Sequence, residues 1–202
     1  ICMIGSYSLE QPEIQENFNI EYRFLRQKGK SLAASMEDPA VVGFSCYVWN
    51  FCGSLSAAKE VKKRFPNALI VLGGFSIPKI PTRINQFFQQ HPYVDVLVHG
   101  EGELTFANFL RQNMGDQQYH EIQGLTYKTP DVSEGFVSNP LALRIDCLDD
   151  LPSPFLNGVF DEMLSRYGSK ITGALWETNR GCPYSCTFCD WGDAAVNKIK
   201  KY

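Results

Sequence analysis

Three apolar runs, each separated from the next by a helical pattern, dominate the first 130 residues of this 202-residue chain. The runs are Val41–Val48, Ala68–Leu72 and Val94–Val98, and their nearly continuous apolar character predicts parallel strands covered on both faces. Residues 54–64 and 82–90 carry apolar side chains at helical spacing. This alternation of strand and helix predicts an α/β domain built on a parallel sheet.

Four flanking segments extend this pattern. Ile1–Leu9 is predicted to be a helix that has lost the strand before it, and Phe18–Phe24 alternates apolar and polar residues as a half-buried strand does. Ser54 is predicted to cap the helix that it begins. A helix over Leu104–Arg111 and a short edge strand over Ile122–Lys128 follow.

Periodicity is lost after Pro130. Leu151–Pro154 contains two prolines and predicts a stiff linker, Phe155–Tyr167 predicts a helix, and Ile171–Glu177 predicts the first strand of a second domain. The predicted organisation is an α/β domain over 1–130, a linker region over 131–170 and the start of another domain over 171–202.

The composition excludes several classes of protein. A net charge of −3 gives no basic footprint for nucleic acid, and no run of 18 apolar residues predicts a membrane span. No signal peptide is visible, so abundant free cysteine favours a reducing cytoplasm. Because the chain begins with Ile1 and stops thirteen residues after Cys189, we expect it to be the N-terminal part of a longer protein.

Three cysteines, Cys182, Cys186 and Cys189, form a C-x3-C-x2-C motif near the C-terminal end. A [4Fe–4S] cluster usually takes four cysteine ligands. Three thiolates on one loop therefore leave one iron open to a small molecule, as a catalytic zinc site keeps one position open.

Three other interpretations of this motif compete with the iron–sulfur cluster. A zinc site would need a fourth ligand, yet no Cys or His follows Cys189 and the nearest upstream is Cys147. A disulfide framework suits small secreted chains, and the total of seven cysteines is odd. Structural cysteines remain the third alternative, and the iron–sulfur interpretation is favoured.

The motif and its setting closely resemble the cluster loop of the radical S-adenosylmethionine (SAM) enzymes. In that family the open iron binds the amino and carboxylate groups of SAM, and an electron from the cluster cleaves SAM to a 5′-deoxyadenosyl radical. The resemblance implies that Cys182, Cys186 and Cys189 hold the cluster and that Phe188 and Trp191 shape the SAM pocket. It also implies an electron donor such as flavodoxin or ferredoxin.

Ligands of open α/β sheets bind outside the carboxyl ends of the strands. Those positions here are Tyr47–Asn50, Gly73–Ser76 and His99–Glu103, and their glycines allow a ligand to approach the backbone closely. The chain has no G-x-G-x-x-G, so a dinucleotide site is not supported.

The order of Gly43-Phe44-Ser45, Leu72-Gly73-Gly74 and Gly100-Glu101-Gly102-Glu103 resembles the cobalamin-binding domain of the B12-binding radical SAM family. The resemblance implies a flavodoxin-like (Rossmann-like) parallel-sheet domain followed by the start of a radical SAM partial TIM barrel. It also implies the following contacts with cobalamin: Tyr47, Trp49, Asn50, Gly73, Gly74, Gly100, Glu101 and Gly102.

One departure from the family concerns histidine. Some cobalamin domains offer a histidine to cobalt from D-x-H-x-x-G, and none of His91, His99 and His120 has that context. His99 is interpreted as a loop residue near the site. Trp49 either flanks the corrin or belongs to the core, and both interpretations stay open.

The resulting prediction is a radical SAM enzyme that is cobalamin-dependent and transfers a methyl group to an unactivated carbon. Oxidative or ring-forming radical chemistry is the alternative within the class. A non-enzymatic cobalamin or metal-binding module and an iron–sulfur electron carrier are the alternatives outside it. No catalytic side chain is assigned, and these 202 residues alone are expected to be inactive.

Overall fold

The computed structural model describes residues 1–174, 179–181 and 200–201 of the chain. Its contacts divide the chain into two units, one formed by Ile1 with residues 3–143 and the other by Cys2 with residues 144–202. The predicted cluster ligands and the two predicted SAM-pocket residues lie outside the described residues.

The helices and strands follow one another in a βα pattern through most of the first unit. The helices are α1 Cys2–Leu9, α2 Pro12–Asn17, α3 Gly29–Ala34, α4 Phe51–Arg64, α5 Pro81–Gln90, α6 Gly102–Asn113 and α7 Asp161–Tyr167. The strands are β1 Val41–Ser45, β2 Leu69–Gly73, β3 Val96–Val98, β4 Leu125–Lys128, β5 Phe136–Ser138, β6 Asn179–Arg180 and β7 Lys200–Lys201. Short 3-10 turns lie at Tyr119–Glu121, Leu148–Asp150 and Gly168–Lys170.

The first unit is organised around a five-stranded sheet of order β1-β2-β3-β4-β5. The first three strands are parallel, with Val42 opposite Ile70 and Val71 opposite Val96. β4 and β5 extend the sheet in antiparallel fashion, with Val98 opposite Leu125. In the second unit, β6 and β7 form a short antiparallel pair.

Alternate residues of the central strands supply two separate cores. Ile70, Leu72 and Leu97 belong to a core that includes α4 and α5, whereas Val71 and Val96 belong to a core that includes α6. Burying one such side chain is worth about 1.5–3 kcal/mol. The predicted α/β class is confirmed, because helices cover both faces of a mainly parallel sheet.

The segment Phe18–Phe24 shows why a period-two pattern is not sufficient for a strand. Its apolar residues are half-buried in alternation, and Phe18 and Ile20 pack on the α6 core. The segment nevertheless pairs with none of the five strands of the sheet. The strand prediction is therefore wrong for the hydrogen-bonding pattern, although the burial pattern is as expected.

Two further predictions about helix and strand positions are corrected. α4 begins at Phe51, so Ser54 lies inside its first turn and is not its cap. β4 was expected at the edge of the sheet, but β5 pairs with it on its outer side. Ile171–Ala174 is irregular, and the rest of that predicted strand lies outside the described residues.

β1 also differs from the prediction of a central strand covered on both faces. It is the first strand in the sheet order, and Gly43 in its middle is exposed. The fully covered strands are β2 and β3, whose buried residues include Ile70, Leu72 and Leu97.

Within the described part of the chain, no helix is both long and apolar enough to cross a bilayer.

Candidate cofactor face at the carboxyl edge of the sheet

The carboxyl ends of β1, β2 and β3 bring three loops to one edge of the sheet, because these strands are parallel. The loops after β1 and β2 are joined directly. The Cys46 amide donates to the Gly73 carbonyl at 2.7 Å, and the Ser76 amide donates to the Cys46 carbonyl at 3.1 Å. At the third loop, the His99 amide donates to the Gly124 carbonyl at 2.8 Å.

The side chain of Asn50 braces the loop after β1. Its Oδ1 accepts from the Tyr47 amide at 2.7 Å, and its Nδ2 donates to the Ser45 carbonyl at 2.8 Å. These bonds turn the chain away from the strand direction, which is why β1 ends at Ser45 although the apolar run continues to Val48. Asn50 therefore has a loop-shaping role whether or not it also touches a ligand.

Apolar side chains cover this edge and face solvent. The indole of Trp49 stacks on Tyr47 with ring centroids 4.8 Å apart, and the Phe75 ring lies 6.1 Å from Tyr47. Val48 is 86% exposed, Trp49 74% and Phe75 63%. We call Tyr47, Val48, Trp49 and Phe75 the aromatic face. An exposed apolar cluster of this kind marks a binding surface more often than a free surface.

This geometry excludes one of the two interpretations of Trp49 that the sequence left open, namely that Trp49 belongs to the core. A core residue would be buried, whereas three quarters of Trp49 is exposed. Its ring is held by Tyr47 and is available to a ligand on its other side.

Two glycines at this edge adopt positive φ for different reasons. Gly74 has φ +99°, and a Cβ there would lie 2.6 Å from the Cys46 carbonyl oxygen, so close packing of two loops requires glycine. Gly100 has φ +76° and nothing within 4 Å of an added Cβ, so its turn borders open space. Gly74 thus shapes the edge, and Gly100 leaves room beside it.

The start of α6 forms the third side of the edge. A Cβ on Gly102 would lie 2.7 Å from Cδ1 of Ile4, so α1 approaches the backbone of α6 closely there. Glu103 lies in the first turn of α6 and is only 4% exposed. Its position is where a helix dipole favours a carboxylate.

His99 is buried immediately after β3. Its Nε2 lies 2.9 Å from Oγ1 of Thr126, which in turn lies 2.8 Å from Oγ of Ser138. Burial, reinforced by the nearby charge of Lys79, lowers the pKa of His99 to about 4. The ring is therefore neutral near pH 7. Because only 6% of His99 is exposed, the ring is poorly placed to bind a metal ion at the aromatic face.

The other two histidines lie elsewhere. His91 follows α5, where its Nδ1 is 2.8 Å from the Tyr93 hydroxyl and burial lowers its pKa. His120 is in the 3-10 turn after α6, with Nε2 4.0 Å from the Glu121 carboxylate. Neither residue follows a parallel strand.

Cys46 and Cys52, which flank the loop after β1, differ in their environment. Cys46 is fully buried, and burial raises the pKa of its thiol to about 11. Cys52 is exposed on α4. Within residues 1–174, 179–181 and 200–201, no group of three His, Cys, Asp or Glu side chains is arranged to hold a metal ion.

An open cavity of about 610 Å³ lies beside the aromatic face, between the loop after β2 and α5. Phe75 belongs to the aromatic face and also lines the cavity. The cavity wall further contains the apolar residues Phe51 and Phe87 and the basic residues Lys79 and Arg83. No sequence pattern pointed to this cavity, because its wall combines residues from a loop and two helices.

Comparisons with known proteins were consistent with this geometry. Residues 14–110 match the B12 binding domain model. The chain is 43% identical over 204 residues to the cobalamin-dependent radical SAM methyltransferase TokK of Streptomyces tokunonensis, covering 99% of this chain and 29% of that protein. It is 39% identical to a 2-(S-pantetheinyl)-carbapenam-3-carboxylate methyltransferase of Streptantibioticus cattleyicolor, again covering 99% of this chain and 29% of that protein.

A solved structure of similar fold is that of the cobalamin-dependent SAM radical enzyme OxsB with aqua-cobalamin bound. The TM-score is 0.57 at 25% identity, over 79% of this chain and 21% of that one. The present chain spans about three tenths of the length of the two relatives named above.

Proposed function

Since the chain belongs to the B12-binding radical SAM family and carries its B12-binding domain, we propose that the carboxyl-edge face holds cobalamin for a radical SAM methyl transfer. The observation that carries the proposal is the aromatic face itself. It lies at the carboxyl ends of three parallel strands, inside the matched residues 14–110, and it is exposed to solvent.

The residues at this edge suit a corrin. A corrin is a broad, flat ring with apolar faces and amide groups around its rim. Trp49 and Phe75 offer apolar surface to such a face, and the Gly100 turn leaves space for the rim. The exposed position of the edge allows a large cofactor to approach without repacking the core.

The predicted contact residues acquire separate roles in this proposal. Trp49, supported by Tyr47, lies against the corrin. The predicted contacts Gly73, Gly74, Gly100, Glu101 and Gly102 border it with backbone and side-chain atoms. Asn50 acts mainly by fixing the loop that carries the aromatic face.

Histidine ligation of cobalt is not part of this proposal. The imidazole of His99 is buried and bonded to Thr126, and the other two histidines are remote in the fold. We therefore expect this chain to hold cobalamin without a protein imidazole on cobalt.

The cluster and SAM complete the proposed active centre. Residues 171–202 would begin the radical SAM barrel, with Cys182, Cys186 and Cys189 as ligands of a [4Fe–4S] cluster and with Phe188 and Trp191 at the SAM pocket. When bound, cobalamin supplies a methyl carrier, and the cluster with SAM supplies the substrate radical. A small electron-transfer protein such as flavodoxin or ferredoxin would deliver the reducing electron.

We propose methyl transfer to an unactivated carbon, with 2-(S-pantetheinyl)-carbapenam-3-carboxylate as the first substrate to assay. The support is that two relatives, 43% and 39% identical along the whole chain, are both methyltransferases, and one is named for that substrate.

Ring-forming chemistry is the second candidate. An anaerobic magnesium-protoporphyrin IX monomethyl ester cyclase of Cereibacter sphaeroides is 26% identical over 90% of this chain. The lower identity makes it the alternative. The two reactions differ in product, since a methyl transfer adds one carbon and a cyclisation adds none.

The test of the proposal is electron paramagnetic resonance on the full-length protein, reconstituted anaerobically with iron and sulfide, reduced, and measured with and without SAM. We expect a [4Fe–4S]⁺ signal that changes when SAM is added. Changing Cys186 to Ala should abolish the SAM effect, whereas changing Cys52, an exposed cysteine of α4, to Ala should leave it intact. A signal indifferent to SAM would indicate an electron carrier, and no cluster would indicate a zinc site.

A further inference from the structure

We propose that His99, Thr126 and Ser138 form a hydrogen-bonded chain that positions the Gly100–Gly102 turn for cobalamin. This inference rests on the proposed cobalamin site and adds positioning residues from two antiparallel strands, Thr126 on β4 and Ser138 on β5. We call these three residues the histidine chain.

The geometry of the histidine chain is continuous from the interior to the surface. Nε2 of His99 is 2.9 Å from Oγ1 of Thr126, and that oxygen is 2.8 Å from Oγ of Ser138. His99 is 6% exposed and Thr126 is fully buried, whereas Ser138 is exposed to solvent. The His99 backbone is held as well, because its amide donates a hydrogen bond to the Gly124 carbonyl.

The proton inventory makes Thr126 the necessary link. A neutral imidazole has one donor and one acceptor nitrogen, and a threonine hydroxyl has one proton to donate. The hydroxyl of Thr126 can donate to one neighbour and accept from the other, or accept from both, and each arrangement needs its oxygen. Removing it would leave the buried Nε2 of His99 without its partner, which is costly at a desolvated position.

The backbone of the turn that follows His99 borders open space at Gly100. Gly100 has no side chain, has φ +76° and would have no atom within 4 Å of an added Cβ. Two flanks restrain the turn: His99 lies on one side, and Gly102 packs closely against Ile4 on the other. Release of His99 removes one of these flanks.

A simpler role for the histidine chain is to satisfy buried polar groups, as most buried hydrogen bonds do. In that case its loss would lower stability without a specific effect on cobalamin. The two roles are separated by comparing cobalamin affinity between variants that lose similar hydrogen bonds at opposite edges of the sheet.

The experiment uses the full-length protein and titration with hydroxocobalamin, followed by absorbance. The test variant is Thr126→Val, which keeps the shape and removes the hydroxyl, and the rescue variant is Thr126→Ser. The control is Tyr119→Phe, which removes a hydroxyl that donates to Oδ1 of Asn113 at 2.7 Å near the end of α6 remote from Gly102.

We expect Thr126→Val to raise the dissociation constant for cobalamin about fivefold or more, as the loss of one hydrogen bond can. Thr126→Ser should restore it to within about twofold of the wild type, and Tyr119→Phe should stay within the same range. An affinity of Thr126→Val within twofold of the wild type would overturn the proposal.

Two other results have defined meanings. If Thr126→Val does not fold, Ser138→Ala at the exposed end of the histidine chain replaces it. We then expect the dissociation constant for cobalamin to rise about threefold or more, and a value within twofold of the wild type overturns the inference. If the wild-type protein itself does not bind cobalamin, the proposed function fails together with this inference. Wild-type binding with unaffected variants contradicts the inference alone.

Discussion

At the scale of single residues, Trp49 is the side chain on which the cobalamin proposal depends most directly. It is 74% exposed and stacked on Tyr47, so its removal should affect a ligand far more than the core. We expect Trp49→Ala to weaken cobalamin binding by about tenfold, as loss of a large aromatic contact does, with little change in the free energy of unfolding.

Absorbance titration with hydroxocobalamin measures this effect. Met114→Ala is the matched control, because Met114 is a partly exposed apolar residue at the opposite end of α6. If the Trp49 and Met114 variants bound cobalamin with equal affinity, the aromatic face would not be part of the cobalamin site.

His99 gives a prediction about pH at the same scale. Its pKa is lowered to about 4 in the folded protein, whereas an unperturbed histidine titrates near 6.5. Between these values the unfolded chain binds a proton that the folded chain does not, so stability falls as pH decreases from about 6.5 to 4. The contribution lost is on the order of 3 kcal/mol.

Urea denaturation at several pH values checks this. The variant His99→Gln keeps a neutral hydrogen-bonding side chain and should show a smaller loss of unfolding free energy over the same pH range. A wild-type and a variant that lose stability in parallel would show that His99 does not carry this pH dependence.

At the scale of elements, the position where β1 ends is set by one side chain. The sequence pattern continued the strand to Val48, but Asn50 turns the chain at Ser45 through two hydrogen bonds. We expect Asn50→Ala to lower the free energy of unfolding by about 1–2 kcal/mol and to weaken cobalamin binding, because the aromatic face is carried on that loop.

Asn50→Asp is the informative companion variant. The carboxylate can still accept from the Tyr47 amide but cannot donate to the Ser45 carbonyl, so an intermediate loss is expected in both measurements. Denaturation and cobalamin titration on the same preparations provide the comparison, and an Asn50→Ala protein that matches the wild type in both would contradict the bracing role.

The elements also show how far the sequence could be interpreted. β2, β3 and the helices α4–α6 were predicted because long apolar or helical patterns specify them without outside help. Phe18–Phe24 was predicted to be a strand and is not one, because a strand needs a partner as well as alternation. β5 was missed because Phe136 and Val137 are its only apolar residues and are too few to show a pattern, and it forms by pairing with β4.

The candidate site was predictable to a similar degree. The three loops could be located because the carboxyl ends of parallel strands share an edge. The exposure of Trp49, the brace made by Asn50 and the histidine chain depend on contacts between residues distant in sequence. His99 and Thr126 are 27 positions apart, and no local pattern connects them.

At the scale of the whole molecule, a ligand on the carboxyl edge should stabilise the entire first unit. Its two cores share the strands β2 and β3, whose loops form that edge. Free cobalamin at about 100 times its dissociation constant should add about 2.7 kcal/mol to the free energy of unfolding.

Hydrogen exchange with and without cobalamin is the appropriate measurement. Protection should increase first in residues 46–50, 74–76 and 99–102, and also in the amides of β2 and β3. Protection confined to a different part of the chain would place the ligand elsewhere.

The exposed side chains of the aromatic face also have a consequence for how the protein behaves while it is being made. When the cofactor is absent, Val48, Trp49 and Phe75 form an exposed apolar surface, and such surfaces promote self-association. A larger supply of cobalamin during synthesis should therefore increase the fraction of the protein that remains soluble and decrease the fraction found in inclusion bodies. Cells that take up the vitamin efficiently should yield more dispersed protein than cells that lack it, and the difference should shrink when Trp49 is replaced by a polar residue.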